Sequence, residues 1–179
     1  RSRPREGRLV IHANLVVLVG ALLLDAVVGD PDALWRRIPH PVTLLGRAIH
    51  ALDRTYNIAI LPPEERRQNG VIAMAFLFGG ALAAGVALEV LFHYLPFGWI
   101  GRLVVATIFL APRSLYDHVA AVATAFDQGL AAARSAVSRI VGRDPETLDE
   151  AGIARAAVES TAENFSDGVV APALWFVLL

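Results

Sequence analysis

Arg155, Glu159, Glu163 and Asp167 recur every four residues in a stretch that turns apolar at Val169 and stays so beyond Trp175. On a helix each step of four falls about 40° past a full turn, so these side chains follow one slowly rotating face. Two readings fit. Carboxylates at this spacing form a solvated face, with Arg155 pairing to Glu159 and Asp167-Gly168 acting as a helix stop. Alternatively, the row of negative charge, with Asn164 beside it, holds Mg²⁺, a hard cation that takes oxygen ligands and keeps waters for a phosphate-bearing substrate.

Composition narrows the chemistry. Of 179 residues, 55% are apolar and only 18% charged, and the net charge of −1 leaves no nucleic-acid footprint. Cysteine is absent, which excludes disulfides, thiolate metal sites and Cys nucleophiles. All 16 basic residues are arginine, so neither a Schiff base nor a Walker-type lysine is available. A phosphate held by a side-chain cation must then meet arginine or histidine.

The elements that would position this chemistry are helical. After a basic leader ending at Arg8, Leu9–Val28 is apolar enough to span a bilayer, and its Asp25, costly in lipid, should face protein or the interface. Gly29-Asp30-Pro31 ends that helix. Val42–Ile60 is amphipathic, with Leu44, Leu45, Ile49 and Leu52 apolar and Arg47, His50 and Arg54 polar. Pro62-Pro63 and Glu64–Asn69 read as a polar elbow. Val71–Leu95 is the clearest span, its Gly79–Ala87 portion rich in small residues that let another helix approach. The third apolar segment, about residues 97–112, is short and either crosses a thinned bilayer or is re-entrant. From Arg113 the pattern is an amphipathic helix with a break at Gly129, a turn at Gly142–Pro145, and a capping box Thr147-x-x-Glu150 opening the acidic helix. A further apolar segment starts at residue 169. The expected fold is all-α: a polytopic α-helical integral membrane protein with amphipathic cytoplasmic helices, forming one membrane domain and the N-terminal part of a longer chain.

Arginines set the expected orientation. Arg36, Arg37, Arg47, Arg54, Arg66 and Arg67 fall in 29–70, and Arg113, Arg134, Arg139, Arg143 and Arg155 in 113–168. With the third segment counted as a span these loops share a side, and the positive-inside rule makes it cytoplasmic. Asp30, His40, Arg47, Arg113, Asp117, Glu159, Glu163 and Asp167 then gather on the face where ATP and Mg²⁺ are found.

These residues also carry a family likeness. Asp25 to Asp30, Pro39-His40-Pro41-Val42, Gly46-Arg47, Arg113-Ser114-Leu115 with Asp117, Gly142-Arg143-Asp144, and the long run from Ala154-Arg155 through Glu159, Glu163-Asn164, Asp167-Gly168-Val169 and Ala171-Pro172 to Trp175 resemble, in order, the CobD/CbiB family. These are the membrane-bound adenosylcobinamide-phosphate synthases. The resemblance implies ATP-dependent amide formation between the propionate of adenosylcobyric acid, a corrinoid, and aminopropanol or its phosphate, at the inner membrane. Contact with other cobalamin-assembly enzymes is a further expectation. Members continue for roughly another half of their length beyond the matched region, and Phe165-Ser166 is an unusual pair within the motif. A carboxylate condenses with an amine only once its oxygen can leave, which ATP provides as an acyl phosphate. In this scheme Glu159, Glu163 and Asp167 hold Mg²⁺, and Asn164 orients a water or substrate amide. Arg47, Arg113 and Arg155 grip phosphates, with Asp117 and Asp30 at the substrate. His40 is a base for the ammonium group or orders the Pro-rich turn. The competing class is a non-enzymatic polytopic protein: a corrinoid carrier, a regulatory sensor or a scaffold. A carrier would draw on Glu89, His93 and Arg102.

Overall fold

Long apolar runs with polar residues at their ends produce an architecture of helices alone among the described residues. The computed structural model describes residues 3–142 and 144–178. Arg143, part of the family-like Gly142-Arg143-Asp144, lies outside the described residues. In order the helices are α1 (Arg3–Val28), α2 (Asp32–Trp35), α3 (Pro41–Tyr56), α4 (Pro63–Tyr94), α5 (Gly98–Phe109), α6 (Pro112–Ala125), α7 (Leu130–Val137), α8 (Glu150–Phe165) and α9 (Ala171–Leu178). The chain divides into two units, Arg1–Asp30 with Trp99–Leu179, and Pro31–Gly98.

The first unit has two hydrophobic cores. In one, Val122 and Ala125 of α6, Ala133 and Val137 of α7, and Ile153 and Ala157 of α8 close on each other. Val137 and Ile153 retain no exposed surface, and burying each such side chain from water stabilises by about 1.5–3 kcal/mol. In the other, Leu18 and Ala21 of α1 meet Ala106 of α5 and the following Leu110, with Ala173, Phe176 and Val177 of α9 packed alongside. Here small residues do the work: a Cβ on Gly20 would stand 2.9 Å from the Leu103 side chain. Such close approach adds dispersion contacts along the whole seam between the helices.

The α1–α5 pair runs parallel. Gly20 faces Leu103, the Thr107 hydroxyl reaches the Ala21 carbonyl (3.4 Å), and Asp25 reaches Arg113. With 12 residues α5 rises about 18 Å, against about 30 Å of hydrocarbon. It therefore flanks only the C-terminal half of α1. Gly29, at φ 64°, ends α1 by donating its N–H to the Asp25 carbonyl (2.7 Å). Gly129, at φ 98°, breaks the chain between α6 and α7 as the sequence suggests, after a short 3₁₀ turn over Phe126–Gln128.

In the second unit α4 has no buried residue and α3 has none. Two helices among the described residues, Arg8–Val28 and Pro63–Tyr94, are long and apolar enough to cross a membrane. Their outward side chains, such as Val16 at 73% and Phe78 at 72% exposure, would be penalised in water and suit lipid.

Three local expectations need correction. Glu64–Asn69 is not an elbow but the opening of α4, because Pro63 at the first helical position and two acids in the first turn favour a helix start. The cap of α8 is Asp149, whose carboxylate accepts the Gly152 N–H (2.7 Å), rather than Thr147, which lies in the preceding turn. Asp167-Gly168 does not stop the helix. The backbone continues through a π-helical turn, Ser166–Val170, into α9.

Candidate functional site

Why the helix widens at Ser166–Val170 follows from Pro172. Proline has no N–H and its ring clashes with the carbonyl four residues back, here that of Gly168. Looping in one extra residue relieves the clash: the Ala171 N–H bonds to the Ser166 carbonyl, five residues back. Such π turns recur at functional sites because they turn a side chain out of the α-helical progression. Asp167 is carried by this turn.

The acidic row lies on the side of α8 away from its core. Gly152, Ile153, Ala156, Ala157 and Ser160 are buried, while Arg155, Glu159, Glu163, Asn164 and Asp167 are exposed. Its base is fixed from below. The Ser160 hydroxyl donates to the Ile140 carbonyl, tying α8 to the segment after α7, and the Asn164 amide nitrogen donates to the Ser160 carbonyl (2.8 Å) and hydroxyl (3.1 Å). Asn164 therefore offers a substrate its Oδ1, an acceptor suited to an ammonium or a water. Arg134 adds a brace by donating from Nε and Nη2 to the Leu148 carbonyl, which holds the loop leading into α8.

A second group forms where α1 ends and α6 begins. Asp25, 2% exposed, accepts the Arg113 N–H (2.8 Å) and so caps α6 from a distant part of the chain. A buried carboxylate is tolerable only with such partners. The Arg113 guanidinium donates from Nη1 to the Ala26 carbonyl (2.9 Å) and from Nε to both oxygens of Asp117 (3.0 Å). The Arg113–Asp117 ion pair is about half exposed, so its own worth is under about 1 kcal/mol. Its effect is geometric: two of the three guanidinium nitrogens are committed, and the fork is held in one orientation. An open hollow of about 340 Å³ is lined by Asp25, Ala26, Pro112, Arg113 and Tyr116. Asp30 is exposed just beyond the end of α1.

His40 and Arg47 belong to the second unit. The His40 ring caps α3, its Nδ1 accepting the Val42 N–H (3.2 Å), and it sits edge-on to Trp35 with ring centroids 4.3 Å apart. An imidazole that accepts at Nδ1 carries its proton on Nε2. It therefore presents a donor, and can take a proton only when Nδ1 leaves the cap. Arg47, with Arg36, Arg37, His40 and Trp35, lines a hollow of about 370 Å³ that has no carboxylate on its wall among the described residues.

Among the described residues no group of three His, Asp or Glu side chains is arranged to hold a metal ion. Mg²⁺ seldom requires one: it is held by one or two carboxylates together with waters and substrate phosphates, a mode that exposed Glu159 and Glu163 on successive turns fit. Sequence reading passed over Asp25 as a cap and missed the π turn. The pairing of Gly168 with Pro172 was the available signal for the second, and nothing local signals the first.

Among the described residues, the fold and site define an all-helical protein with two helices of membrane-crossing length and an exposed charged row on the helix that joins its two cores. Residues 18–179 match the family model described as CobD/Cbib protein, and the chain belongs to that family. It is 49% identical over 170 residues to the cobalamin biosynthesis protein CobD of Brucella suis biovar 1, covering 94% of this chain and 52% of that one. The protein of the same name from Rhizobium meliloti is 49% identical (92% and 51% covered), and that from Rhodobacter capsulatus 46% (91% and 50%). The chain thus spans about half the length of the curated relatives it matches. No solved structure matches it. Family and apolar helices together suggest a membrane protein.

Proposed function

We propose that the protein is the membrane-bound ligase joining aminopropanol, or its phosphate, to the propionate carboxylate of adenosylcobyric acid, giving adenosylcobinamide or its phosphate. The observation that carries this reading is the exposed row Arg155, Glu159, Glu163, Asn164 and Asp167, braced through Ser160 and ending in a π turn that leads into the core shared by α1, α5 and α9. ATP with Mg²⁺ would supply the phosphoryl group that makes the carboxylate oxygen a leaving group, which the amine then displaces as phosphate. Within this scheme Glu159 and Glu163, with Asp167, hold the metal's protein side. Arg155, Arg113 and Arg47 meet phosphate oxygens, with Arg113 kept in orientation by Asp117 and the Ala26 carbonyl. Asn164 accepts from the amine, Asp30 borders the substrate, and His40 takes the ammonium proton once its Nδ1 is released from Val42.

The protein lies in the inner membrane in this reading, crossing it more than once, with the site on the cytoplasmic side. The Arg113–Ala26 bond supports one side for Asp30, Arg113 and Asp117, since it joins the end of α1 to the start of α6. The test is turnover by the full-length protein in detergent, supplied with ATP, Mg²⁺, adenosylcobyric acid and aminopropanol phosphate. Glu163→Gln should cut kcat by about 10²-fold or more, the scale for losing one charge placed at developing charge, while leaving thermal stability within about 0.5 kcal/mol. Corrinoid binding without any ATP-dependent product would instead favour a carrier or scaffold.

A further inference from the structure

Helix α3 divides its surface by charge. At 100° per residue, Thr43, Arg47, His50 and Arg54 fall within an arc of about 60°, and Val42, Leu45, Ile49, Leu52 and Tyr56 within an arc of about 80°. The centres of the two arcs are about 150° apart. None of the helix is buried: Val42, Leu45 and Ile49 keep 57%, 47% and 47% of their surface. The cationic arc lines an open hollow of about 810 Å³ that also has no carboxylate on its wall among the described residues.

What fixes the helix's height is its C-terminal end. The Asn57 amide donates to Asp53 (2.9 Å) and its oxygen accepts from Arg66 of α4 (2.7 and 3.0 Å). Asn69 of α4 donates to the Tyr56 carbonyl (3.1 Å), and the Tyr56 ring stacks on Phe76 (centroids 6.4 Å apart). On α4, Arg66 and Asn69 are the last polar stretch, and Val71 begins the apolar one. The end of α3 is therefore bolted across the boundary between the water-facing and lipid-facing parts of α4.

We propose that α3 is an interfacial helix that lies in the bilayer surface and binds the phosphates of anionic lipid headgroups along His50 and Arg54. The apolar arc provides the seat in the acyl region and the cationic arc the charge complement, the two requirements of a helix that lies on a membrane. The proposal uses the membrane placement of α4 and is independent of the ligase chemistry.

Since the sequence has no cysteine, single cysteines can be introduced at Leu45, Ile49, His50 and Arg54 and labelled with a fluorophore. The protein is then placed in phosphatidylcholine vesicles with and without phosphatidylglycerol. Labels at Leu45 and Ile49 should be quenched by brominated lipid chains and shielded from aqueous iodide, with the reverse at His50 and Arg54. Four iodide-accessible labels would overturn the proposal by taking α3 off the membrane. Shielding of Leu45 and Ile49 from both quenchers would overturn it by showing a protein cover. For the headgroup, Arg54→Gln should lower the preference of brominated phosphatidylglycerol over brominated phosphatidylcholine at Leu45 by up to about five-fold, the weight of one arginine at an anionic surface. An unchanged preference would remove the lipid phosphate from the proposal.

Discussion

At the scale of single residues, Asp25 and His40 show how a polar side chain can be given a structural duty by a distant or a near backbone group. Asp25 caps a helix by accepting from its second residue, 88 positions later. Asp25→Ala should leave the part-buried Arg113 N–H without its acceptor and remove a helix cap, costing about 0.5–2 kcal/mol, while Asp25→Asn keeps an acceptor and costs less. Thermal unfolding in detergent would rank the two, and equal losses would mean that the cap is not what matters. His40 is separable in a similar way. Asparagine is a good N-cap, so His40→Asn should preserve the start of α3 yet lower turnover by about 10²-fold or more if the ring moves a proton. Unchanged turnover would reduce His40 to its cap. Nothing in the sequence around Asp25 names its partner, because that contact is made by folding, not by neighbourhood. The cap at His40 was half visible, since a polar residue before Pro41-Val42 invites a helix start.

At the scale of elements, what was legible was whatever repeats with the helical period. The four-residue spacing of Arg155, Glu159 and Glu163 gave the correct helix and the correct outward face. Gly29 and Gly129 gave the correct breaks. The misreadings share a cause: residues with two uses. Pro62-Pro63 followed by charges looks like a loop but is also how a helix begins. Gly168 before Pro172 looks like a stop but is resolved by one wider turn. The conformation of that turn makes a prediction. Gly168 has no left-handed φ, and a Cβ there would meet nothing within 4 Å. Gly168→Ala should therefore raise stability by about 0.5–1 kcal/mol. A loss of turnover alongside the gain would mark the glycine as a place where substrate comes close to the backbone.

At the scale of the whole molecule, the reading depends on sidedness. Labelling with a membrane-impermeant reagent at cysteines replacing Thr43 and Ser166 should report the same, cytoplasmic, side in intact cells; opposite sides would end the proposal that the histidine turn and the acidic helix serve one reaction. The overall class was legible from composition, because more than half the residues are apolar and they cluster in long runs. Which helices pair was not: the close contacts are at Gly20, Ala21 and Ala106, whereas the sequence drew the eye to the richer small-residue run in α4, which the described residues leave open. The unbroken backbone from Glu150 to Leu178 seats Ile153 in one core and Phe176 beside the other. Insertion or loss of a single residue between them would turn everything downstream by about 100°, so one of the two seats would be lost. Length, more than identity, is then the quantity this stretch cannot vary: its evolution must proceed by exchange of side chains within a fixed count.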